Sequence, residues 1–204
     1  YDGGDTQIGT NMYHDGSWKA KENGTSSNYA LGANGYHTWF GNPSANADAS
    51  INLTTNMQLT IDGELLKPKH PCFRAAGLGG AWSTGINDVV HFANDGNGFN
   101  FDQGNNYNTS SNGFFAPVGG KYQFYAQALI QNGTTQKRIK LRHNGTDFAI
   151  GNIYGYNSSS EVTVMVSGIV NMAANDKIDV HLNTQGGNYY NHHPYTFFQG
   201  FLIG

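Results

Sequence analysis

The stretch Gly113 to Ala128, GFFAPVGGKYQFYAQA, restricts what this chain can become more than any other. After Phe114 and Phe115, a Pro-Val-Gly-Gly turn at Pro117 to Gly120 leads into a segment of period two. Tyr122, Phe124, Ala126 and Ala128 share one face, and Lys121, Gln123, Tyr125 and Gln127 the other. Alternate residues of an extended chain face opposite sides, so this pattern fits a half-buried antiparallel strand. The closing segment repeats it, with Tyr195, Phe197, Gln199, Phe201 and Ile203 alternating with Thr196, Phe198, Gly200 and Leu202. Both of its faces are largely apolar. The strand is therefore expected to be covered on both sides, by its own fold or by a neighbouring copy.

The 204 residues suffice for one large all-β domain, or for a domain of about 130 residues with an independent segment. With 28 glycines, 13% aromatics and 12% charged residues, the composition fits short strands joined by tight turns. A net charge of −3 with only 11 Lys and Arg offers no basic field for a nucleic-acid backbone. No apolar run approaches the roughly 18 residues that span a bilayer, so no membrane insertion is expected. Cys72 is the one cysteine and is expected to be a small buried hydrophobe between Pro71 and Phe73. The opening YDGG, with neither initiator Met nor signal peptide, is expected to continue a longer chain.

Residues 1–64 read as short strands between the turn signals Asp15-Gly16, Asn23-Gly24, Asn34-Gly35 and Asp62-Gly63. Ile51, Leu53, Met57, Leu59 and Ile61 are its apolar set, too few large side chains to close a core alone. Such a segment is expected to wind or stack with copies of itself. Pro68 and Pro71 mark residues 65–71 as a linker. From 72 to 204 about ten short strands follow without a helical interval, which indicates a sandwich. One of them, QKRIKLRH, alternates Arg138, Lys140 and Arg142 with Ile139 and Leu141, giving a strand with one wet basic face.

The region from about Cys72 to Gly204 resembles a C1q/TNF-like domain, specifically the C1q globular head. The likeness is carried by FRAAG at 73–77, VVHF at 89–92, the run from Asn106 to Ala128, the strand from Val162 to Val180, and YTFFQGFLIG at 195–204. Tyr107, Gly113, Phe115, Pro117, Gly120, Tyr122 and Phe124 fit the family pattern position by position, and Phe198, Gly200, Phe201 and Leu202 fit its close. The resemblance implies a ten-stranded jelly-roll sandwich that forms a homotrimer and serves as a non-enzymatic binding head. Residues 1–64 are similar to the β-rich stems of bacteriophage tail fibres, through Gly16 to Lys19, Tyr36 to Phe40 and Ala49 to Gly63. No Gly-X-Y period precedes the head, so a collagen stalk is not expected.

Together these likenesses imply a virion tail-fibre head acting extracellularly on a host-surface glycan or receptor, joined to other tail proteins through a missing N-terminal part. The alternative is a purely structural trimerisation knob of a fibre or decoration protein. Phe115, Tyr122, Phe124, Phe197, Phe201 and Ile203 are the candidates for trimer interface or core. Tyr189, Tyr190, Asn191, His192 and His193 in one loop, with Trp82 in another, are the ligand candidates. Aromatic faces suit sugar rings, and amide and imidazole groups supply hydrogen bonds. The plain alternative is ordinary surface of a low-charge β protein.

No cofactor is required. The resemblance makes calcium a candidate, with Asp95, Asp102 and Asp179 as the nearest oxygens. The His192-His193 pair could bind a metal across a three-fold axis, but adjacent histidines on a strand face opposite ways, so one chain is not expected to chelate with both. No GxSxG elbow exists, and Asp176, Asp179 and His181 read as a turn-to-strand segment, so no catalysis is expected.

Overall fold

The computed structural model describes residues 4–77, 81–83, 87–93, 99–131, 136–154, 161–184 and 187–204, with 81–83 and 87 described by their backbone alone. The chain divides into two units, Tyr1–Lys69 and His70–Gly204. The first contains β1 (Thr6–Thr10), β2 (Met12–His14), β3 (Trp18–Ala20), β4 (Gly24–Leu31), β5 (His37–Ala45), β6 (Thr54–Leu59) and β7 (Leu65–Leu66). One antiparallel sheet runs β1-β4-β5-β6-β7, and β2 pairs with β3 as a separate hairpin. Gly16 and Gly35 turn the chain between β2 and β3 and between β4 and β5, both with positive φ.

Of the apolar set, Met57 and Leu59 lie in β6 (Thr54–Leu59) and Ile51, Leu53 and Ile61 outside it. One expectation for this unit needs correction. Leu65 and Leu66, placed in the linker, instead pair with Leu59 and Gln58. A proline lacks only its own N–H, so the residues upstream of Pro68 remain free to extend a sheet. Among the described residues of this unit, those buried are small or polar: Ala20, Ala30, Ser26, Asn28, Thr38 and Thr60. Ile8, Leu31, Ile61 and Leu65 are exposed.

The second unit contains β8 (Cys72–Ala76), β9 (Ala81–Ser83), β10 (Asn87–Val89), β11 (Phe101–Gln103), β12 (Tyr107–Asn108), β13 (Gly113–Phe115) and β14 (Gly120–Gln131). It continues through β15 (Gln136–His143), β16 (Thr146–Tyr154), β17 (Val162–Met172), β18 (Lys177–Asn183), β19 (Asn188–Asn191) and β20 (Phe197–Leu202). A seven-stranded sheet runs β11-β8-β20-β14-β19-β9, with β17 on β14. A six-stranded sheet runs β12-β13-β18-β15-β16, with β10 on β18. Thirteen strands among the described residues replace the ten expected, because short pairings such as β9, β11 and β12 extend the sheets at their margins.

The core lies between the sheets, where alternation brings Phe73, Tyr122, Phe124, Ala126 and Phe198 from one to face Phe114, Ile139, Leu141, Ile178 and Val180 from the other. Phe124 is flanked in register by Gly168 on β17 and Gly200 on β20. A Cβ at Gly200 would collide with the Phe124 ring, so the glycine in Phe-x-Gly-Phe makes room for that aromatic. Lys137 shares the inner face of β15 with Ile139 and Leu141 and is fully buried. Its Nζ has no hydrogen-bond partner among the described residues.

Two turns at one end of the six-stranded sheet are tied together by Asp176. Its Oδ1 accepts from Asn144 Nδ2 at 2.8 Å, and its Oδ2 from the Ala173 N–H at 2.8 Å and His143 Nε2 at 2.9 Å. These donors, Asn144 foremost, hold the carboxyl down at about 2 from its ordinary 3.8. A carboxyl that ionises more easily folded than unfolded contributes stability in full above the unfolded value, and loses it as pH falls through the folded one. The difference in melting temperature between the protein and Asp176→Asn is therefore expected to be largest above pH 4 and to shrink between about 4 and 2. A difference that stays constant down to pH 2 would contradict this.

Candidate functional site

Tyr189, Tyr190 and Asn191, expected in a loop, belong to β19, held between β14 and β9. The structure sets Trp82 opposite Tyr190 in register, joining the two stretches singled out from sequence. Alternation sends Tyr189 into the core, which removes it from the ligand candidates. The chain then turns tightly. The N–H groups of Tyr195 and Thr196 both donate to His192 O, and Thr196 Oγ1 donates to Tyr190 O at 2.6 Å.

This turn gathers rings. His192 stacks on His193 at 4.4 Å and on Tyr190 at 5.6 Å, Tyr195 lies 5.5 Å from Tyr190, and His193 stacks on Phe99 at 4.6 Å. The histidines do not face opposite ways, because they leave the strand and enter the turn. Phe99 and Tyr195 are exposed members that the sequence did not single out. Phe99 lies in a Gly- and Asn-rich stretch, where its ring, followed by Phe101 two residues on, was the available signal; Tyr195 belongs by its sequence to the closing segment. Arg74 fixes the cluster from below, donating to Phe99 O and His193 O at 2.9 Å each. Its guanidinium sits 4.5 Å over the Phe197 ring.

The carboxylate candidates are separated by their partners. Asp102 accepts the N–H groups of Asn106 and Tyr107 at 3.0 and 2.8 Å, shaping the turn after β11. Asp179 is held by Arg142 at 2.7 Å and Lys177 at 3.1 Å. Asp95 lies outside the described residues. Among those described, no group of three or more His, Cys, Asp and Glu side chains could hold a metal ion.

Of the six interface-or-core candidates, Tyr122 and Phe124 are fully buried within one chain and Phe115 is half-buried. Phe197 and Phe201 point outward from the seven-stranded sheet, and Ile203 beyond them is exposed. Register aligns that outer face in rows: Ile169, Gln123, Phe201, Cys72 and Gln103; then Ser167, Tyr125, Gln199, Arg74 and Phe101; then Met165, Gln127 and Phe197. Phe101, Met165, Ile169 and Phe201 are 51, 54, 62 and 45% exposed, large values for apolar side chains sharing one sheet face. Cys72 is only half-buried, because alternation puts Phe73 inward and Cys72 outward. Burial and the charge of Asp102 push its thiol up.

Residues 81–203 match the family model described as the C1q domain. This chain belongs to the C1q family. Its C1q sandwich is similar to the globular domain of zebrafish complement 1qA protein, at 16% identity and a TM-score of 0.52, covering 66% of this chain and 98% of that one. The Eiger TNF of S. frugiperda gives 9% and 0.51 over 67% and 94%, and murine APRIL, in a crystal structure at pH 5.0, 12% and 0.52 over 66% and 100%. These three share the jelly-roll fold with the C1q unit. No curated protein sequence matches the chain.

Proposed function

We propose that this C1q chain is a non-enzymatic, homotrimeric binding head that recognises a host-surface glycan or protein through the Phe99, Tyr190, His192, His193 and Tyr195 cluster. The observation that carries the reading is the apolar outer face of the seven-stranded sheet, which leaves Phe101, Met165, Ile169 and Phe201 for sister chains to cover. Beside that face, the aromatic cluster offers stacking planes with imidazole and hydroxyl hydrogen-bonding groups, the chemistry that sugars take.

The finer reading is a virion tail fibre of the bacteriophage kind, acting extracellularly, with residues 1–64 as its stem. Two features of the first unit support it. Its described residues bury no large apolar side chain, and its sheet aligns Ile8, Tyr29, Trp39 and Met57 across one face, a surface suited to stacking with copies.

Glycan-array binding by the full chain and by Tyr195→Ala tests the site. The variant is expected to keep its assembly mass and lose at least about tenfold in affinity, the effect of removing about 1.4 kcal/mol of contact. Equal binding by the two would favour a structural knob over a ligand-bearing head.

A further inference from the structure

The outer face of the six-stranded sheet, on the sheet that does not contain β19, carries the basic residues of β15 beside those of β18. Most are already matched by acid. Lys140 pairs with Asp147 at 2.6 Å, and Arg142 and Lys177 share Asp179. Arg138 has no acidic partner among the described residues, and its Nε is buried without an acceptor. On the neighbouring strand, His181 Nδ1 is likewise buried and unpartnered.

These two groups are brought close by register. Arg138 lies opposite Asn183 and Lys140 opposite His181, so Arg138 and His181 occupy diagonal positions of one face, roughly 7–8 Å apart. Asn152 lies opposite Arg138 on β16, and Ile150 and Tyr154 stand exposed along the same strand. A guanidinium N–H and an imidazole nitrogen, both buried and both without a protein partner among the described residues, lie on one face with the Asn152 amide and the exposed Ile150 and Tyr154. A buried donor left unmatched is unfavourable by about 1–3 kcal/mol, so a ligand that accepts from both removes a standing penalty.

We propose that Arg138 and His181 form an oxyanion site for a carboxylate or sulfate group carried on a saccharide, with the sugar body lying toward Ile150 and Tyr154. Arg138 holds the anion by a charge-assisted hydrogen bond, and His181 adds a second when protonated. The free site disfavours that proton: burial first, then Arg142 and Lys140, lower the His181 pKa, while Asp147 and Asp88 act weakly the other way. Asp179, on His181's own strand, is already held by Arg142 and Lys177. A bound anion opposes the cationic neighbours, so binding and His181 protonation reinforce one another.

The test follows the His181 ring by NMR through pH titrations of the full chain alone, with sodium sulfate, with glucuronate and with glucose. Saturating anion is expected to raise the His181 pKa by about one unit, and affinity to tighten up to about tenfold as pH falls through it. A shift with sulfate alone assigns sulfate esters, one with glucuronate assigns uronic acids, and either supports the site. Arg138→Gln is expected to remove the shift. Arg138→Lys, which retains charge but lacks the Nε–H, is expected to weaken it and decides the matter if the glutamine variant does not fold. A His181 pKa that neither anion moves, an equal shift with glucose, or an undiminished shift in the Arg138 variants would overturn the proposal.

Discussion

Replacing Phe73 by alanine is expected to destabilise the C1q unit by about 3–5 kcal/mol, a large part of the roughly 5–15 kcal/mol that holds a domain of this size together. Phe73 is fully buried, and its ring is in contact with four others. It stacks on Phe114 at 4.8 Å and on Tyr107 at 5.5 Å, meets Phe198 edge-on at 4.9 Å and lies 6.4 Å from Phe124. Phe114 and Tyr107 belong to the six-stranded sheet and Phe124 and Phe198 to the seven-stranded one, so this one side chain joins both halves of the sandwich. Alanine there removes the transfer energy of a ring and leaves a void bounded by rigid rings, with little means of collapsing. Aromatic pair geometry adds to the loss. The melting temperature should fall by about 10–20 °C. Val118→Ala, at an exposed turn position, should change stability by no more than about 0.5 kcal/mol. A Phe73→Ala protein melting within a few degrees of the parent would show that the two sheets do not pack through this ring.

The same alternation that predicts this effect made the C1q unit legible beforehand. In β14 the inner and outer residues fall on the faces assigned from period two, because a strand with one dry side has no other register open to it. The final strand was harder. Its outward residues are as apolar as its inward ones, and sequence alone could not separate a face for the core from a face for a sister chain. Lys137 shows the converse limit: the alternation that puts Ile139 and Leu141 inside also puts Lys137 inside, although a lysine is rarely a core residue.

The ligand cluster was legible by composition and not by conformation. β19 exists through pairing with β14, nearly sixty positions earlier, and with β9, more than a hundred positions earlier. No local propensity announces such a strand between a glycine-rich approach and Pro194. The unpartnered nitrogens of Arg138 and His181 depend in the same way on a lateral register between β15 and β18 that only the folded sheet supplies.

Changing Ile169 and Phe201 together to aspartate is expected to convert an assembly of about three chains into a folded monomer. Both side chains flank Gln123 in one row of the outer face, and each is about half or more exposed in the single chain, so their loss removes little from the core of that chain. Against a sister chain they are worth about 1.5–3 kcal/mol each when buried, and three-fold symmetry repeats the contribution at every interface. Aspartate in their place would have to be dehydrated without a fixed positive partner, an effective penalty of several kcal/mol per ion. Arg74, the basic group of the adjacent row, is already committed to Phe99 O and His193 O and lies over Phe197. Light scattering should therefore report one chain, and the melting temperature should cease to depend on protein concentration. Ile150→Asp, at a 51% exposed position on the opposite sheet, should leave the assembly intact. If the double variant still elutes as a trimer, sister chains do not meet through this outer face, and the argument that assigns Phe101, Met165, Ile169 and Phe201 to the interface falls.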